Sequence, residues 1–445
     1  MTRTKKTLLI FFGVFFAVLI FFPKIASVGF GKKIVVKSLE RQFHGTLQID
    51  SLSLSWLGPQ KIRGLKFSRQ DLQGSLKELE TPAPLWSISS QFNGPFFIHE
   101  GSIAFGSNRI EQINGQILDH DFTLSGITRQ ANQTGSISAQ GKVFSKNQFD
   151  VTLNAIHFPT AVLDSFLEMK GSAIDLLGAS FNLDGTIANP GKVDLNLISD
   201  NGKANLKGKL ESNTLTLTDP LNASFLLTEG VSKKWMQDAN PLFVTSISSK
   251  SPILLRVSPQ GFVCSFFPFS LEKLTIGQAV LDLGQTKCRI GKSIASILSL
   301  LNAPTSSREI NAWFTPLAFK LQGGWLRAGR MDVLLADSIH ICTWGDIDLL
   351  KSQLHMFLGL PADTLRRAFG IKNLSETFVL KVPISGTTQD PEIEKGAAAA
   401  KIAAMVAGQN IPKKGEVFGG LVNQFIQIQE EKGVPPPNRP FPWER

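Results

Sequence analysis

Apolar and polar residues alternate at every second position in many short segments of this 445-residue chain. Successive side chains of a β-strand point to opposite faces, so this period predicts strands with one dry face and one wet face. The clearest segments are Phe149, Val151 and Leu153; Val193, Leu195 and Leu197; and Phe378, Leu380, Val382 and Ile384. We therefore expect a mainly β protein.

Turn residues separate these segments at short spacing. Residues 199–202 read Ser-Asp-Asn-Gly and residues 211–213 read Glu-Ser-Asn, each between two alternating segments. Such connections favour consecutive antiparallel hairpins. Glycines also lie inside the predicted strands, at Gly126, Gly141, Gly185, Gly208 and Gly386. Glycines there suit strong curvature, so we expect an elongated, curved antiparallel domain over residues 29–389, with room for a subdivision near residues 230–250.

Residues 46–56 alternate with one change of phase. The shift falls at residues 50–51, where a β-bulge would keep the apolar side chains on one face. Those side chains are Leu47, Ile49, Leu52, Leu54 and Trp56.

Three short segments with apolar residues at helical spacing interrupt the strand pattern. They cover residues 160–177, 291–301 and 361–369, and Gly171 is a candidate break within the first. We interpret them as packing elements of a β domain.

The tail, residues 390–445, differs in kind from the β domain. Asp390 as N-cap and Pro391 at the first helical position predict a helix that continues through Ala397–Ala407. An amphipathic stretch, Val417–Ile428, and a Pro-rich end follow. Core packing explains the amphipathic stretch, and docking to a membrane surface or a protein partner is the alternative.

An unbroken run of apolar residues and glycine, Leu8–Phe22, lies near the N-terminus, with Arg3, Lys5 and Lys6 before it. This pattern predicts a short transmembrane anchor within residues 1–28, with the body of the chain on the non-cytoplasmic side. A cleaved signal peptide has a similar pattern and is the alternative. The anchor residues would include Leu8, Phe12, Phe16, Leu19 and Phe22.

The chain carries 46 Lys and Arg against 36 Asp and Glu, a formal net charge of +10. The basic residues are scattered singly or in pairs, as at Lys233 and Lys234, and form no patch of the kind that nucleic-acid recognition needs. Solvated strand faces explain them, and attraction to anionic lipid head groups is the alternative. We do not expect nucleic acid as a partner.

Motifs that carry chemistry are missing from the sequence. Gly291-Lys-Ser293 lacks the earlier glycine of a phosphate-binding loop, His99-Glu100 lacks the second histidine of a zinc-hydrolase helix, and no G-x-S-x-G elbow occurs. The three cysteines form no disulfide framework. His340 and Cys342 would share a strand face, but two ligands do not make a zinc site. We expect no enzyme, no metal and no cofactor.

The sequence resembles the AsmA-like superfamily at several points. The resemblance rests on the apolar run Leu8–Phe22, on residues 47–56 (Leu-Gln-Ile-Asp-Ser-Leu-Ser-Leu-Ser-Trp) with Gly58-Pro59 and the strand 62–67 after them, and on the strand 378–384 that leads into Gly386-Thr-Thr-Gln-Asp-Pro391. The architecture matches over the whole chain, and the motifs match at the two ends of the β domain.

This resemblance implies a single-pass inner-membrane protein of outer-membrane biogenesis, with its body in the bacterial periplasm. It implies a groove-like sheet, apolar inside, that binds or conducts phospholipid, and it brings no catalytic residues. The groove would begin at Leu47, Ile49, Leu52, Leu54 and Trp56 and end at Phe378, Leu380 and Val382.

Two other functions stay open from the sequence. In the first, the chain is a non-catalytic scaffold or assembly factor whose C-terminal tail docks an envelope protein partner. In the second, it is an anchored hydrolase, which would need a cleft with converging carboxylates or a Ser and His pair.

Overall fold

The computed structural model describes residues 23–24, 27, 29–69, 72–85, 95–130, 133–145, 147–236, 238–265, 269–303, 307–372, 374–409 and 433–444. The described chain is mainly β, as the sequence predicts. It divides into two compact units: unit 1 is Met1–Ile174 with Gly178–Asp200, and unit 2 is Asp175–Leu177 with Asn201–Arg445. This division lies upstream of residues 230–250, where the sequence left room for a subdivision.

Unit 1 is an antiparallel meander. Its strands are β1 (Thr46–Gln48), β2 (Ser51–Ser53), β3 (Gln60–Arg69), β4 (Leu72–Thr81), β5 (Phe96–Phe105), β6 (Asn108–Leu118), β7 (Asp121–Gln130), β8 (Gln133–Ser145), β9 (Gln148–Pro159), β10 (Ser180–Asn189) and β11 (Gly191–Ser199). Each strand from β3 to β10 pairs with the next one, and β1 and β2 both pair with β3.

Among the described residues, three helices accompany this meander. Helix α1 (Phe30–Phe43) precedes β1, and the Glu40 carboxylate accepts a hydrogen bond from the backbone N–H of Leu47 at 3.0 Å. Helices α2 (Thr160–Phe166) and α3 (Ser172–Leu177) follow β9, and Gly171 separates them in a left-handed conformation. The sequence therefore located both the helical segment and its break correctly.

Unit 2 is also built on antiparallel strands. They are β12 (Gly202–Glu211), β13 (Thr214–Leu217), β14 (Leu221–Phe225), β15 (Ser246–Ser249), β16 (Ile253–Val257), β17 (Cys264–Ser265), β18 (Ile276–Asp282), β19 (Gln285–Arg289), β20 (Glu309–Phe314), β21 (Leu317–Gln322), β22 (Trp325–Leu335), β23 (Ile339–Asp348), β24 (Gln353–Pro361), β25 (Val379–Gly386) and β26 (Pro391–Ile393). The predicted turn between β12 and β13 is present, with Ser212 and Asn213 at positive φ.

The strands of unit 2 pair in the order β12, β14, β16, β18, β21, β22, β23, β24, β25 and β26. Strand β13 pairs with β12 and with β17. Strands β15, β19 and β20 pair in sequence and join through β22. Strand β22 is long enough to pair with β20 near one end and with β21 near the other, so the two strand orders meet on it.

Helices α4 (Lys292–Leu300), α5 (Ala362–Phe369) and α6 (Lys395–Gln409) contribute to the core of unit 2. Residues of one sheet face pack with them in a single buried cluster, which includes Ile297 of α4, Leu365 of α5 and Ile402 of α6. Helices α4 and α5 lie where the sequence predicts helices. The dry face of this sheet is therefore covered by the chain itself.

The start of α6 differs from the prediction. Asp390 is not its N-cap, because Pro391–Ile393 forms β26 against β25 and the helix begins at Lys395. Gly386 with φ 87° and the bond from Asp390 N–H to the Thr387 hydroxyl at 3.0 Å make a turn instead. Proline is tolerated as the first residue of an edge strand. Pro391 is therefore compatible with the observed strand as well as with the predicted helix start.

The predicted transmembrane helix is not supported. The apolar run Leu8–Phe22 lies outside the described residues, and so do the anchor residues Leu8, Phe12, Phe16, Leu19 and Phe22. Within the described ranges, no helix has the length and apolarity to cross a membrane. The amphipathic stretch Val417–Ile428 also lies outside the described residues.

Removing a core side chain of unit 2 tests this packing. Leu358 of β24 is fully buried, so Leu358→Ala should lower the free energy of unfolding by about 2–5 kcal/mol, through lost transfer energy and a cavity. Leu254→Ala removes the same atoms at a site that is 53% exposed and should change it by less than about 0.5 kcal/mol. Guanidinium unfolding followed by tryptophan fluorescence measures both, and equal losses would contradict the assigned core.

Candidate functional site

One row of directly opposed residues crosses all of unit 1 and contains no polar side chain. Directly opposed residues in antiparallel strands point to the same face. In strand order the row is Leu52, Ile62, Leu79, Ile98, Gly115, Leu124, Ala139, Leu153, Gly185 and Leu195. We call the face that carries this row the apolar face.

Three neighbouring rows extend the apolar face. The first is Leu47, Phe67, Gly74, Ile103, Ile110, Thr128 and Gly135; the second is Leu65, Leu76, Gly101, Ile113, Gly126, Ile137, Ala155, Leu183 and Leu197; the third is Phe96, Ile117, Phe122, Gly141, Val151, Ile187 and Val193. Thr128 is the single polar residue among them. At about 4.8 Å between strands, the face is about 38 Å wide from β3 to β11.

Left-handed residues keep these rows on one side of the sheet. Gly64, Glu100 and Gln112 have φ of 61°, 51° and 50°, and each falls where the apolar residues of its strand are three positions apart instead of two. A Cβ placed on Gly126 would meet both Ile110 and Ile113, so these two residues share its face despite the odd spacing. The phase shift predicted at residues 50–51 is therefore one of several across the first strands.

Glycines in the rows leave room for the leucines beside them. A Cβ at Gly115 would lie 2.4 Å from Leu124 Cδ2, and a Cβ at Gly185 would lie 2.4 Å from Leu195 Cδ2. The leucine side chains thus lie across the neighbouring glycines. The surface of the apolar face is accordingly made of large side chains that cover bare backbone.

The apolar face is less buried than the core of unit 2. Leu124, Leu153 and Leu195 are half-buried, and Ile117 is 37% exposed. In unit 2, by contrast, Leu358 and Val382 have no exposed surface. A broad, contiguous apolar surface that stays partly open to solvent is typical of a site that binds an apolar partner.

The opposite face of unit 1 is charged. Lys61 and Arg63 flank Ile62 on β3 and therefore point away from the apolar face. Lys61 pairs with Glu80 at 3.0 Å, and Arg63 pairs with Glu78 at 2.7 Å. The hydrogen bond from Arg63 is the main cause of the lowered pKa of Glu78. The two faces thus differ sharply in chemistry.

Helix α2 lies at one end of the apolar face. Its Phe166 meets Phe105 of β5 edge to face at 5.3 Å. The amide of Asn108, at the start of β6, donates to the Ser165 hydroxyl at 2.7 Å and to the Ala161 carbonyl at 3.2 Å. Because α2 also follows directly on β9, it ties the β5–β6 hairpin to a strand three positions further along the sheet.

The predicted residues at the start of the groove lie at the first edge of the apolar face. Leu47 and Leu52 belong to its rows, and Ile49 is buried between them. Leu54 and Trp56 lie beyond the end of β2 and are half-buried. The backbone N–H of Leu54 donates to the Ser27 hydroxyl at 2.8 Å.

The predicted residues at the end of the groove lie elsewhere. Phe378, Leu380 and Val382 belong to the buried cluster of unit 2, together with α4, α5 and α6. The structure places them in a helix-covered core and does not place them in the rows of unit 1. The prediction that they line a groove stays a prediction.

Sequence reasoning missed most of the apolar face. Alternation located Leu153 and Leu195 in strands, but it could not show that both lie opposite Gly185, on the two sides of β10. One signal in the sequence could have found the face. Gly126, Gly141 and Gly185 each lie two residues from an apolar residue of the same strand, and so on the same side of the sheet as that residue.

The structure offers little to a metal or cofactor in the residues it describes. No three His, Cys, Asp or Glu side chains there are placed to hold a metal ion. His340 and Cys342, which the sequence analysis considered as ligands, lie on β23, where His340 contacts two carboxylates. We take the apolar face as the candidate site.

No protein-family model, no curated protein and no solved structure matches the chain. The resemblance to the AsmA-like superfamily therefore stays a hypothesis.

A methyl group added at Gly115 tests how closely the rows pack. The Cβ of Gly115→Ala would meet Leu124 and the Thr123 carbonyl within 2.5 Å, so this variant should lose about 1–3 kcal/mol of unfolding free energy. Gly396→Ala in α6 meets nothing within 4 Å and should gain up to about 1 kcal/mol from helix propensity. Denaturant unfolding of both variants gives the comparison, and a stabilised Gly115→Ala would disprove the close packing.

Proposed function

We propose that this protein binds phospholipid by its acyl chains on the apolar face of unit 1, without catalysis. The observation that carries the proposal is the set of four rows, almost wholly apolar, that together cross nine strands and include half-buried side chains such as Leu124, Leu153 and Leu195. A surface of this kind fits a long, flexible, apolar ligand better than a compact polar one.

The energy of such binding comes from burial of methylene groups. Each buried CH₂ contributes about 0.8 kcal/mol, so affinity should depend on acyl length far more than on the head group. The rows contain no ionisable side chain that could recognise a phosphate. Contact with the face therefore selects for hydrocarbon and leaves the head group outside it.

The resemblance to the AsmA-like superfamily supports the wider setting of this proposal. In that setting the chain is anchored in the inner membrane of a bacterium, its body lies in the periplasm, and it carries phospholipid during outer-membrane biogenesis. The scaffold function remains the alternative. The rows of the apolar face hold no carboxylate, serine or histidine that the hydrolase would need.

Acyl-chain crosslinking tests where lipid binds. The full chain is mixed with phosphatidylcholine vesicles that contain a phosphatidylcholine with a diazirine near the end of one acyl chain. After irradiation, peptide mass spectrometry should find the lipid on β7–β11. Leu153→Lys puts a charge in the middle of the apolar face and should lower that yield by about tenfold, since a lost 1.4 kcal/mol of affinity is tenfold.

The matched control is Ile198→Lys on β11. Ile198 is 51% exposed and neighbours Leu197, so it points to the opposite face, and its substitution should leave the yield unchanged. Equal loss from both substitutions, or crosslinks confined to unit 2, would disprove the proposal.

A further inference from the structure

A buried group of charges lies on the face of the unit 2 sheet that points away from α4. His340 on β23 has a carboxylate at each ring nitrogen: Asp332 Oδ1 lies 2.9 Å from Nε2, and Asp363 Oδ2 lies 3.0 Å from Nδ1. Asp332 also accepts three hydrogen bonds from Arg330, at 2.7 Å, 3.0 Å and 3.2 Å. The Asp332 and His340 side chains are 1% and 8% exposed.

This arrangement favours a doubly protonated His340, because each ring nitrogen can donate to a carboxylate only when it carries hydrogen. Burial lowers the pKa of His340, but the hydrogen bonds and charges of Asp332 and Asp363 outweigh it, so the pKa lies above its ordinary value. With His340 charged, two cations and two carboxylates balance.

The C-terminal segment covers this group. Phe441 is 2% exposed, and its ring lies 5.0 Å from the His340 ring. The Trp443 ring lies 5.7 Å from His340 and stacks on Phe441 at 4.9 Å. The Arg330 guanidinium donates to the Pro435 carbonyl at 3.1 Å. Val434 packs against a buried cluster of Cys342, Trp344 and Val379 on the same side of the sheet.

Side chains supply most of the attachment of this segment. Residues 433–444 belong to no strand, and prolines at 435, 436, 437, 440 and 442 have no N–H to give a neighbouring strand. A segment held by a few contacts opens locally at low cost, whereas the core beneath it opens only when the unit unfolds.

Other charged groups line the same cavity of about 490 Å³. Arg366 comes from α5 and Glu376 from the turn before β25, and Arg439 and Glu444 come from the segment itself. The Glu444 carboxylate is engaged by the backbone N–H of Phe441 at 2.9 Å, and Arg439 lies over the Phe441 ring at 5.2 Å. His340 thus contacts the Asp332 and Asp363 carboxylates as well as the Phe441 and Trp443 rings of the segment.

We propose that residues 433–444 form a detachable strap, which closes over His340 while the imidazole carries two protons and opens when it loses one. A neutral imidazole cannot donate to both carboxylates, so one carboxylate is left without its partner. A neutral imidazole also attracts the Phe441 and Trp443 rings less strongly than a charged one does. Deprotonation therefore weakens the attachment of the strap to the sheet. Opening uncovers a surface with Trp344, Cys342 and Arg330.

The direction of the pH effect follows from what closure adds around His340. Asp332 and Asp363, which raise the pKa of His340, lie outside the strap and stay beside the imidazole in both states. Closure adds the Phe441 and Trp443 rings, which attract an imidazolium more strongly than a neutral imidazole. Because the rings favour the charged form, protonation stabilises closure fully below the pKa of the open state. That stabilisation disappears as the pH rises through the pKa of the closed state. The lowered pKa of Asp363, where the bond from His340 outweighs burial, acts only at much lower pH.

Thiol labelling reports strap opening directly. Cys342 lies beneath the strap, Cys288 is buried in the helix-covered core, and Cys264 is partly exposed. The full chain is labelled with iodoacetamide from about pH 6 to about pH 9, and peptide mass spectrometry gives the rate at each cysteine. The Cys264 rate corrects for thiol ionisation, and the Cys288 rate reports global unfolding.

We expect the corrected Cys342 rate to rise as the pH passes the pKa of His340, while Cys288 stays protected. In His340→Gln the Cys342 rate should be high at every pH. At low pH it should exceed the rate in the unsubstituted protein by about tenfold for each unit by which closure raises the pKa of His340. Phe441→Ala should also raise it while keeping the histidine. His355→Gln, an exposed histidine on β24, is the matched control and should behave as the unsubstituted protein does.

Two results would overturn the strap. If Cys342 and Cys288 become reactive together, the segment is a fixed part of the unit 2 core. If neither substitution changes the Cys342 rate, the contacts at His340 do not hold the segment.

Discussion

The antiparallel register of unit 1 is the constraint on which its surface chemistry depends. A slip of one residue in any strand would send that strand's leucines to the charged face and its lysines to the apolar face. Opposed pairs such as Leu124 with Gly115 and Leu195 with Gly185 resist a slip, because each leucine fits only over a bare backbone. The left-handed residues Gly64, Glu100 and Gln112 then keep the rows aligned where the strands change phase.

The two units solve the problem of a one-sided sheet in different ways. Unit 2 covers its dry face with α4, α5 and α6 and leaves residues such as Ile297 and Leu365 fully buried. Unit 1 leaves part of its apolar face half-buried, as at Leu124, Leu153 and Leu195, although it has a similar supply of leucine, isoleucine and phenylalanine. Because folding normally removes such surface from water, a face left open in a chain that can build a complete core argues for a ligand.

The sequence predicted the β class, the turn at residues 211–213, the helical inserts and the phase change at residues 50–51, since each depends on neighbours along the chain. It could not predict which strands oppose one another. It named Leu47 and Phe378 at the two ends of one groove, which stays a prediction, and the structure places Phe378 in the buried cluster of unit 2. It also predicted that Asp390 and Pro391 begin a helix, whereas Pro391 begins strand β26. The same residue types favour a helix start and a strand edge, so the local sequence does not separate the two.

His340 shows the same limit at the level of chemistry. Sequence spacing put it on one strand face with Cys342, which suggested a metal ligand, but its real partners are eight and twenty-three residues away, on β22 and at the start of α5. Both partners are carboxylates, so they favour a proton at each ring nitrogen and leave neither nitrogen free for a metal ion. The rings of Phe441 and Trp443 then shield this charged group from water. Shielding strengthens each electrostatic interaction within the group. The loss of these interactions when His340 is deprotonated therefore costs more free energy than it would in water.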